Sequence, residues 1–318
     1  MNDKVSILLS TYNGEKYLKE QIDSLFYQTY KNFILIVRDD GSIDETVCIL
    51  EKYKKEHNNI ILLNDNKNKG VIKSFSYLLE YAVNNTNSNY FMFCDQDDVW
   101  EKNKIKITLQ KMQEKEKRYG YIPILIHTDL EVVDQYMNLL HPSFWRYDFI
   151  SPKYDSLNRL LMKNTITGCT MMINKFLAFK SIPIPDEAIM HDWWIGLVAS
   201  YFGKIDYIKE ATIKYRQHDR NSLGAKAYKK ELLKNVKNVL KGIFFKRGKF
   251  YKHHKINIVQ ARKFLERFES ELDDYTKLML KDFSEIEEKT YFEKRKIIFK
   301  YKLFKQGIIR NLGLLLNI

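Results

Sequence analysis

Asp95-Gln96-Asp97-Asp98 follows the apolar run Phe91-Met92-Phe93-Cys94, which places several carboxylates within one turn at a buried edge. Charges packed that closely repel one another, and a divalent cation relieves the repulsion. Hard oxygen ligands with open coordination positions suit Mg2+ or Mn2+ bridging to a diphosphate. An Asp ahead of Val99-Trp100 can equally cap a helix beginning near Lys102, and the quartet alone leaves both readings open. Asp39-Asp40-Gly41-Ser42 ends a second apolar run and is also ordinary turn chemistry, with Ser42 or Asp44 able to cap the next helix. Together with Ser10-Thr11-Tyr12-Asn13-Gly14, these segments offer acceptors for a base or ribose, an aromatic face, and a cation for phosphate. Those are the parts of a nucleoside-diphosphate pocket.

Such groups converge only if the fold brings loops to one edge. Val5 to Leu9 reads as a strand, followed by a polar turn and by Tyr17, Leu18, Ile22, Leu25 and Phe26 at helical spacing. The pattern recurs with strand Phe33 to Val37 and a helix carrying Val47, Leu50 and Tyr53, then with strand Ile60 to Leu63 and a helix from about Val71 to Val83. A fourth strand, Tyr90 to Cys94, runs into the acidic quartet. This alternation predicts an α/β fold with a mostly parallel, Rossmann-like sheet flanked by helices, whose ligands bind outside the carboxyl ends of the strands. From Ile124 the order is irregular: a strand or hairpin at Ile124 to Val133, a helix near Leu157 to Met162, strand Thr170 to Ile173, helix Asp192 to Tyr201 and strand Ile213 to Tyr215.

At 318 residues, with 45% hydrophobic and 14% aromatic residues, the chain excludes a disordered or fibrous protein. Cys48, Cys94 and Cys169 lie far apart, which argues against a disulfide framework and for a reducing cytosol. Val5 to Leu9 is too short for the core of a secretion signal, and no window holds the roughly 18 apolar residues of a membrane-spanning helix. Charge divides the chain. Residues 1–225 carry 29 basic and 29 acidic groups, whereas residues 226–318 carry 24 and 11, so the whole net charge of +13 lies in the second part. We therefore expect two units, 1–225 and a basic helical extension 226–318.

As an ordered set, Ile7 to Gly14, Val37 to Ser42, Asn68-Lys69-Gly70 and Asp95 to Asp98 resemble glycosyltransferase family 2, an inverting, metal-dependent family of GT-A fold. His191-Asp192-Trp193-Trp194 and Tyr215-Arg216-Gln217-His218 resemble its rhamnosyltransferase-like branch, found in bacterial capsule, O-antigen and cell-wall polysaccharide assembly. The resemblance implies that Thr11, Tyr12, Asn13, Asp39, Asp40, Gly70, Lys73 and Asp95 hold the nucleotide sugar. It implies Asp97, with Asp95, as ligands of Mg2+ or Mn2+; His218 is an ordinary polar residue or a further ligand. Asp192 resembles the general base, with a helix N-cap as its plain alternative. Gly168 and Cys169 let backbone approach the acceptor or form a simple turn. Trp193 and Trp194 are the aromatic candidates for an acceptor sugar, although adjacent helical residues diverge by about 100° and cannot both face one core.

The implied donor is a deoxythymidine- or uridine-diphosphate sugar, rhamnose first, and the acceptor a glycan or lipid-linked glycan. The implied place is the cytoplasmic face of a bacterial membrane. Residues 226–267 carry a net charge of +12, Phe244-Phe245 adjoin Lys246-Arg247, and Ile308 to Leu316 pairs apolar anchors with a cation, as interfacial helices do. A helical hairpin packed on the catalytic part is the alternative. A sugar nucleotidyltransferase fits less well, because Ser10 to Gly14 holds one glycine and no cation. The neutral first part, acidic at one edge, speaks against nucleic acid as partner.

Overall fold

Apolar strands feed polar loops throughout the first half of the chain, and the computed structural model describes the result for residues 3–64, 67–219 and 249–317. β1 (Val5–Thr11), β2 (Phe33–Asp39), β3 (Ile60–Asn64) and β4 (Tyr90–Cys94) alternate with α1 (Leu18–Phe26), α2 (Thr46–Glu56) and α3 (Val71–Asn85). Their buried Val, Ile, Leu and Phe side chains pack against helices on both faces, as parallel strands require. Then come β5 (Val99–Trp100), α4 (Lys104–Tyr119), β6 (Ile124–Val133), β7 (Leu139–His141), α5 (Phe144–Tyr147), α6 (Leu157–Leu160), β8 (Met172–Asn174), α7 (Lys175–Ser181), α8 (His191–Phe202) and β9 (Lys204–Arg216).

The nine strands of the described residues form one sheet in the order β3-β2-β1-β4-β8-β6-β9-β5, with β7 beside β6. β3, β2, β1 and β4 are parallel; β8 runs antiparallel between β4 and β6, and β9 lies parallel to β6. The α/β expectation therefore holds. The register brings the chemistry to one edge: Thr11 lies opposite Asp39 and Asp39 opposite Asn64, while β4 ends at Cys94 opposite Leu9. β4 thus stops two residues short of β1's end, and the acidic quartet turns across the gap.

β5, β7, α5 and α7 have no counterpart in the sequence expectation, and two expected strands differ in extent. β9 extends over 13 residues instead of three, because most of its side chains are only half-buried and show no apolar run. Residues Gly168–Thr170 form a 3-10 turn, so β8 begins at Met172 rather than Thr170.

The described part of the C-terminal region forms helices Lys249–Phe268, Asp274–Ser284, Tyr291–Lys300 and Ile308–Asn317. Phe264, Phe268, Leu280, Phe283, Ile298 and Leu303 belong to the same apolar core as Phe75, Phe93 and Trp194. Polar bonds reinforce the joint: Asn257 Nδ2 donates to Leu161 O at 2.8 Å, Ile189 N to Gln260 Oε1 at 2.9 Å, and Arg310 pairs with Asp148 at 3.2 Å. The expected break near Ala225, and the Phe244 to Arg247 cluster, lie outside the described residues. Among the described residues, no helix is long and apolar enough to cross a membrane.

Candidate active site

The loop after β1 is shaped by backbone bonds to its neighbours. Asn13 takes a left-handed φ of 48°, its N–H donating to Ser42 Oγ at 2.9 Å and its Oδ1 accepting from Ile43 N at 2.9 Å. Tyr12 N donates to Gln96 Oε1 at 2.8 Å and Gln96 Nε2 returns to Tyr12 O at 3.0 Å, which joins this loop to the acidic quartet. Between them opens a cleft of about 720 Å3 lined by Tyr12, Asn13, Tyr17, Asp97, Gln135 and His218 among others. Tyr12 is 48% exposed, an aromatic face open to a ligand.

Asp97 Oδ2 lies 2.9 Å from His218 Nε2 at the cleft wall. Beside it, burial and then the charges of Asp97 and Asp192 push the Asp95 carboxyl up to about 7. Asp98 is fully buried and its carboxyl is also raised, by burial first and by Asp97 and Asp95 next; its Oδ2 has no hydrogen-bond partner. None of the four caps α4, whose N-cap is Asn103 without a side-chain bond. Oxygen donors kept at high energy by mutual repulsion, with an imidazole alongside, fit a divalent cation. Asp95, half-buried, and the buried Asp98 and Cys169 thiol place ligand atoms within 4.8 Å of one another, a second acidic grouping that shares Asp95 with the first.

Asp192 lies in the first turn of α8, whose N-cap is Met190. Its Oδ2 accepts from Gly168 N at 2.9 Å, and its Oδ1 has no partner. Burial pushes this carboxyl up to about 7. A carboxylate half-ionised near neutrality, with one bare oxygen, has the properties of a general base.

Other expected residues sit elsewhere. Asp39, 1% exposed, accepts from Thr11 Oγ1 at 2.9 Å, Ser42 Oγ at 2.6 Å, and the Gly41 and Ser42 amides, so it organises the turn behind the cleft. Asp40 is paired with buried Arg38 and accepts from Lys69 N and Gly70 N at 2.8 Å each, which ties the loop before α3 to β2. Lys73 pairs with Asp186 at 2.8 Å on the exterior. Trp194 corrects an expectation: it is fully buried, its indole donates to Ser181 O at 3.0 Å, and it packs on Phe264 and Phe268, so it is core and presents nothing to an acceptor. Trp193 is partly buried and donates to Leu160 O at 2.6 Å.

Sequence reasoning passed over three residues. Arg216 is the hub of the cleft wall: its N–H donates to Asp98 Oδ1 at 3.1 Å, its Nε to Asp97 O at 2.8 Å, and its Nη1 to Gln135 O at 3.0 Å, with the guanidinium stacked 4.4 Å over the Tyr17 ring. Its place beside His218 in a quoted motif was the available signal. Lys104 is wholly buried behind the quartet, and burial pulls its ammonium down to about 8. Nothing in a run of alternating lysines marks it. His191 is buried against Phe75 and Phe93, with ring centroids 4.0 and 5.1 Å apart.

A parallel sheet edge with an acidic cleft, and a separate buried carboxylate at the start of α8, has the plan of a GT-A glycosyltransferase. A solved structure of S. aureus TarS residues 1–349 in complex with UDP-GlcNAc superposes with a TM-score of 0.57 at 16% identity, over 94% of this chain and 80% of that one. The chain belongs to glycosyl transferase family 2, whose model matches residues 6–180. It is 28% identical over 229 residues to the dTDP-rhamnosyl transferase RfbG of Shigella flexneri, covering 68% of this chain and 74% of that one. It is 27% identical over 231 residues to a putative teichuronic acid biosynthesis glycosyltransferase, TuaG, of Bacillus subtilis, covering 71% and 83%. An uncharacterized glycosyltransferase of Rickettsia typhi is 27% identical over 285 residues, covering 81% and 85%.

Proposed function

We propose that the protein is an inverting glycosyltransferase that moves a sugar from a nucleoside-diphosphate donor to a glycan or lipid-linked glycan of a bacterial surface polysaccharide. The observation that carries this reading is Asp192: a buried carboxylate with one oxygen bonded and one bare, in electrostatic reach of Asp95 beside the Asp97–His218 pair. The nucleoside lies along the loop after β1, against Tyr12 and Asn13. Asp97 and His218, with Asp95 behind them, hold the cation, and the imidazole favours Mn2+ over Mg2+. When bound, that cation stabilises negative charge on the departing diphosphate. Asp192 Oδ1 takes the proton of the acceptor hydroxyl as its oxygen attacks the anomeric carbon from the side opposite the leaving group, which inverts the centre.

Rhamnose on deoxythymidine diphosphate is the donor we favour, supported by the likeness to RfbG. An N-acetylhexosamine on uridine diphosphate is the second reading, supported by the TarS complex. A lipid-linked acceptor calls for attachment at the inner face of the membrane. Phe292, Lys296 and Phe299 are exposed at i, i+4 and i+7 of one helix, and Ile308 and Leu312 are exposed on the next. With a net charge of +6 over residues 291–318, this surface suits an anionic bilayer.

A donor screen that follows release of nucleoside diphosphate, run with Mn2+, Mg2+ or excess chelator, tests the reading. Release from one nucleotide sugar, abolished by chelator and by Asp97→Asn, is the expected result. Full activity in chelator would remove the cation from the account, and no release from any nucleotide sugar would remove the donor class. Anionic vesicles should retain the protein and Phe292→Asp/Phe299→Asp should not bind them; equal binding of both proteins contradicts the membrane surface.

A further inference from the structure

Asp192 owes its orientation to a glycine that is required for space rather than for backbone freedom. Gly168 has no left-handed φ, so its dihedrals are open to any residue, yet a Cβ built on it would lie 2.7 Å from His191 Nε2 and 3.1 Å from Cε1. That ring has little freedom to retreat, being 2% exposed and packed against Phe75 and Phe93, whose own ring centroids lie 5.9 Å apart. Neither of its nitrogens has a hydrogen-bond partner, so no polar bond explains its presence there. The Gly168 amide, meanwhile, is the donor that holds Asp192 Oδ2 at 2.9 Å.

We propose that Gly168 and His191 act as a pair of positioning residues for Asp192: the ring braces the 168–170 turn from behind, and the bare glycine lets the turn come close enough for its amide to fix one carboxylate oxygen while the other stays free for the acceptor hydroxyl. The inference rests on Asp192 being the base. It assigns His191 no proton transfer and no contact with substrate. Loss of the brace moves the carboxylate by the few tenths of an ångström to an ångström over which reactive geometry is lost.

The test compares Gly168→Ala, His191→Ala, the double variant and Asp192→Asn, reading nucleoside diphosphate released from dTDP-rhamnose or UDP-GlcNAc, whichever the wild type cleaves. Affinity for the corresponding nucleoside diphosphate and the thermal melt report folding. Gly168→Ala should lower kcat by about 10²-fold with donor KM within about twofold. His191→Ala should by itself lower kcat, though by less than Gly168→Ala, because the turn loses its brace without being pushed; with the obstructing ring gone the alanine is harmless, so that the double variant equals His191→Ala within about threefold and exceeds Gly168→Ala. Should Gly168→Ala fail to fold, the double variant against His191→Ala carries the comparison. Wild-type kcat in Gly168→Ala or in His191→Ala, or a folded double variant far below His191→Ala, overturns the proposal. Wild-type kcat in Asp192→Asn instead overturns the assignment of the base, which separates the two failures.

Discussion

A carboxyl held at about 7 acts on turnover and on stability with opposite sign. For Asp192 the cause is burial, which disfavours the charged form. Turnover should rise with pH as the base ionises, with an apparent midpoint near 7. Stability should fall over the same range. A carboxyl whose native pKa lies above its unfolded value binds its proton more tightly when folded, so its contribution is complete below about pH 4 and lost as pH climbs through about 7. Three pKa units correspond to at most about 4 kcal/mol, enough to read in a melt. Asp192→Asn should therefore melt above the wild type at pH 8 and near it at pH 4. Equal melts at pH 8 would mean that the folded protein ionises Asp192 freely. Asp95, raised by the same burial and by its neighbours' charges, steepens the pH dependence of the wild type. The two groups interact, so the turnover profile reports the pair rather than either residue alone.

At the scale of elements, the end of β9 builds the cleft wall. Arg216 bonds the backbone of Asp97 and of Gln135 and pairs with Glu20, so that His218, two residues on, meets Asp97. Arg216→Ala removes the guanidinium donors to those carbonyls and leaves Asp98 beside an altered turn, a change of the class that costs roughly 1–3 kcal/mol for each buried group left unsatisfied. Its nucleoside-diphosphate affinity in Mn2+ should fall about tenfold or more while the far side of the sheet stays intact; unchanged affinity would detach β9 from the site. The sequence made the first four strands legible because continuous apolar runs end in polar loops, and with them the loops of Tyr12, Asp39 and Asp97. Of β9 it revealed only the end, Ile213 to Tyr215, because the half-buried residues before it mix charge with aliphatic side chains. Nor did residue type separate Asp40, a latch for the loop before α3, from the neighbouring Asp39. Trp193 and Trp194 illustrate the same limit: helical geometry requires them to diverge, but only the C-terminal helix shows which one is core.

For the whole molecule, charge and packing divide the chain differently. The sequence places all net charge beyond residue 225, which suggests an appendage; the described helices of that region instead fill one core with α3, α7 and α8. Phe264, Phe268, Leu280, Phe283, Ile298 and Leu303 are each buried to within a few per cent. At roughly 1.5–3 kcal/mol for each such side chain, their loss rivals the whole stability of a typical domain, about 5–15 kcal/mol. Truncation after Ala225 should therefore abolish the cooperative melt; a truncated protein that melts as the full chain does would show the joint to be superficial. The same joint fixes the exposed Phe292 and Phe299 face relative to the cleft, so a membrane-bound acceptor would meet Asp192 in one orientation. The most direct measurement of the central claim is the rate of nucleoside diphosphate release by wild type and Asp192→Asn, with Mn2+ at pH 8 and with nucleotide affinity measured in parallel. A loss of about 10²-fold or more in kcat at unchanged affinity is expected, because only proton removal in the transition state is lost; release at the wild-type rate by the folded variant would show that Asp192 is not the base.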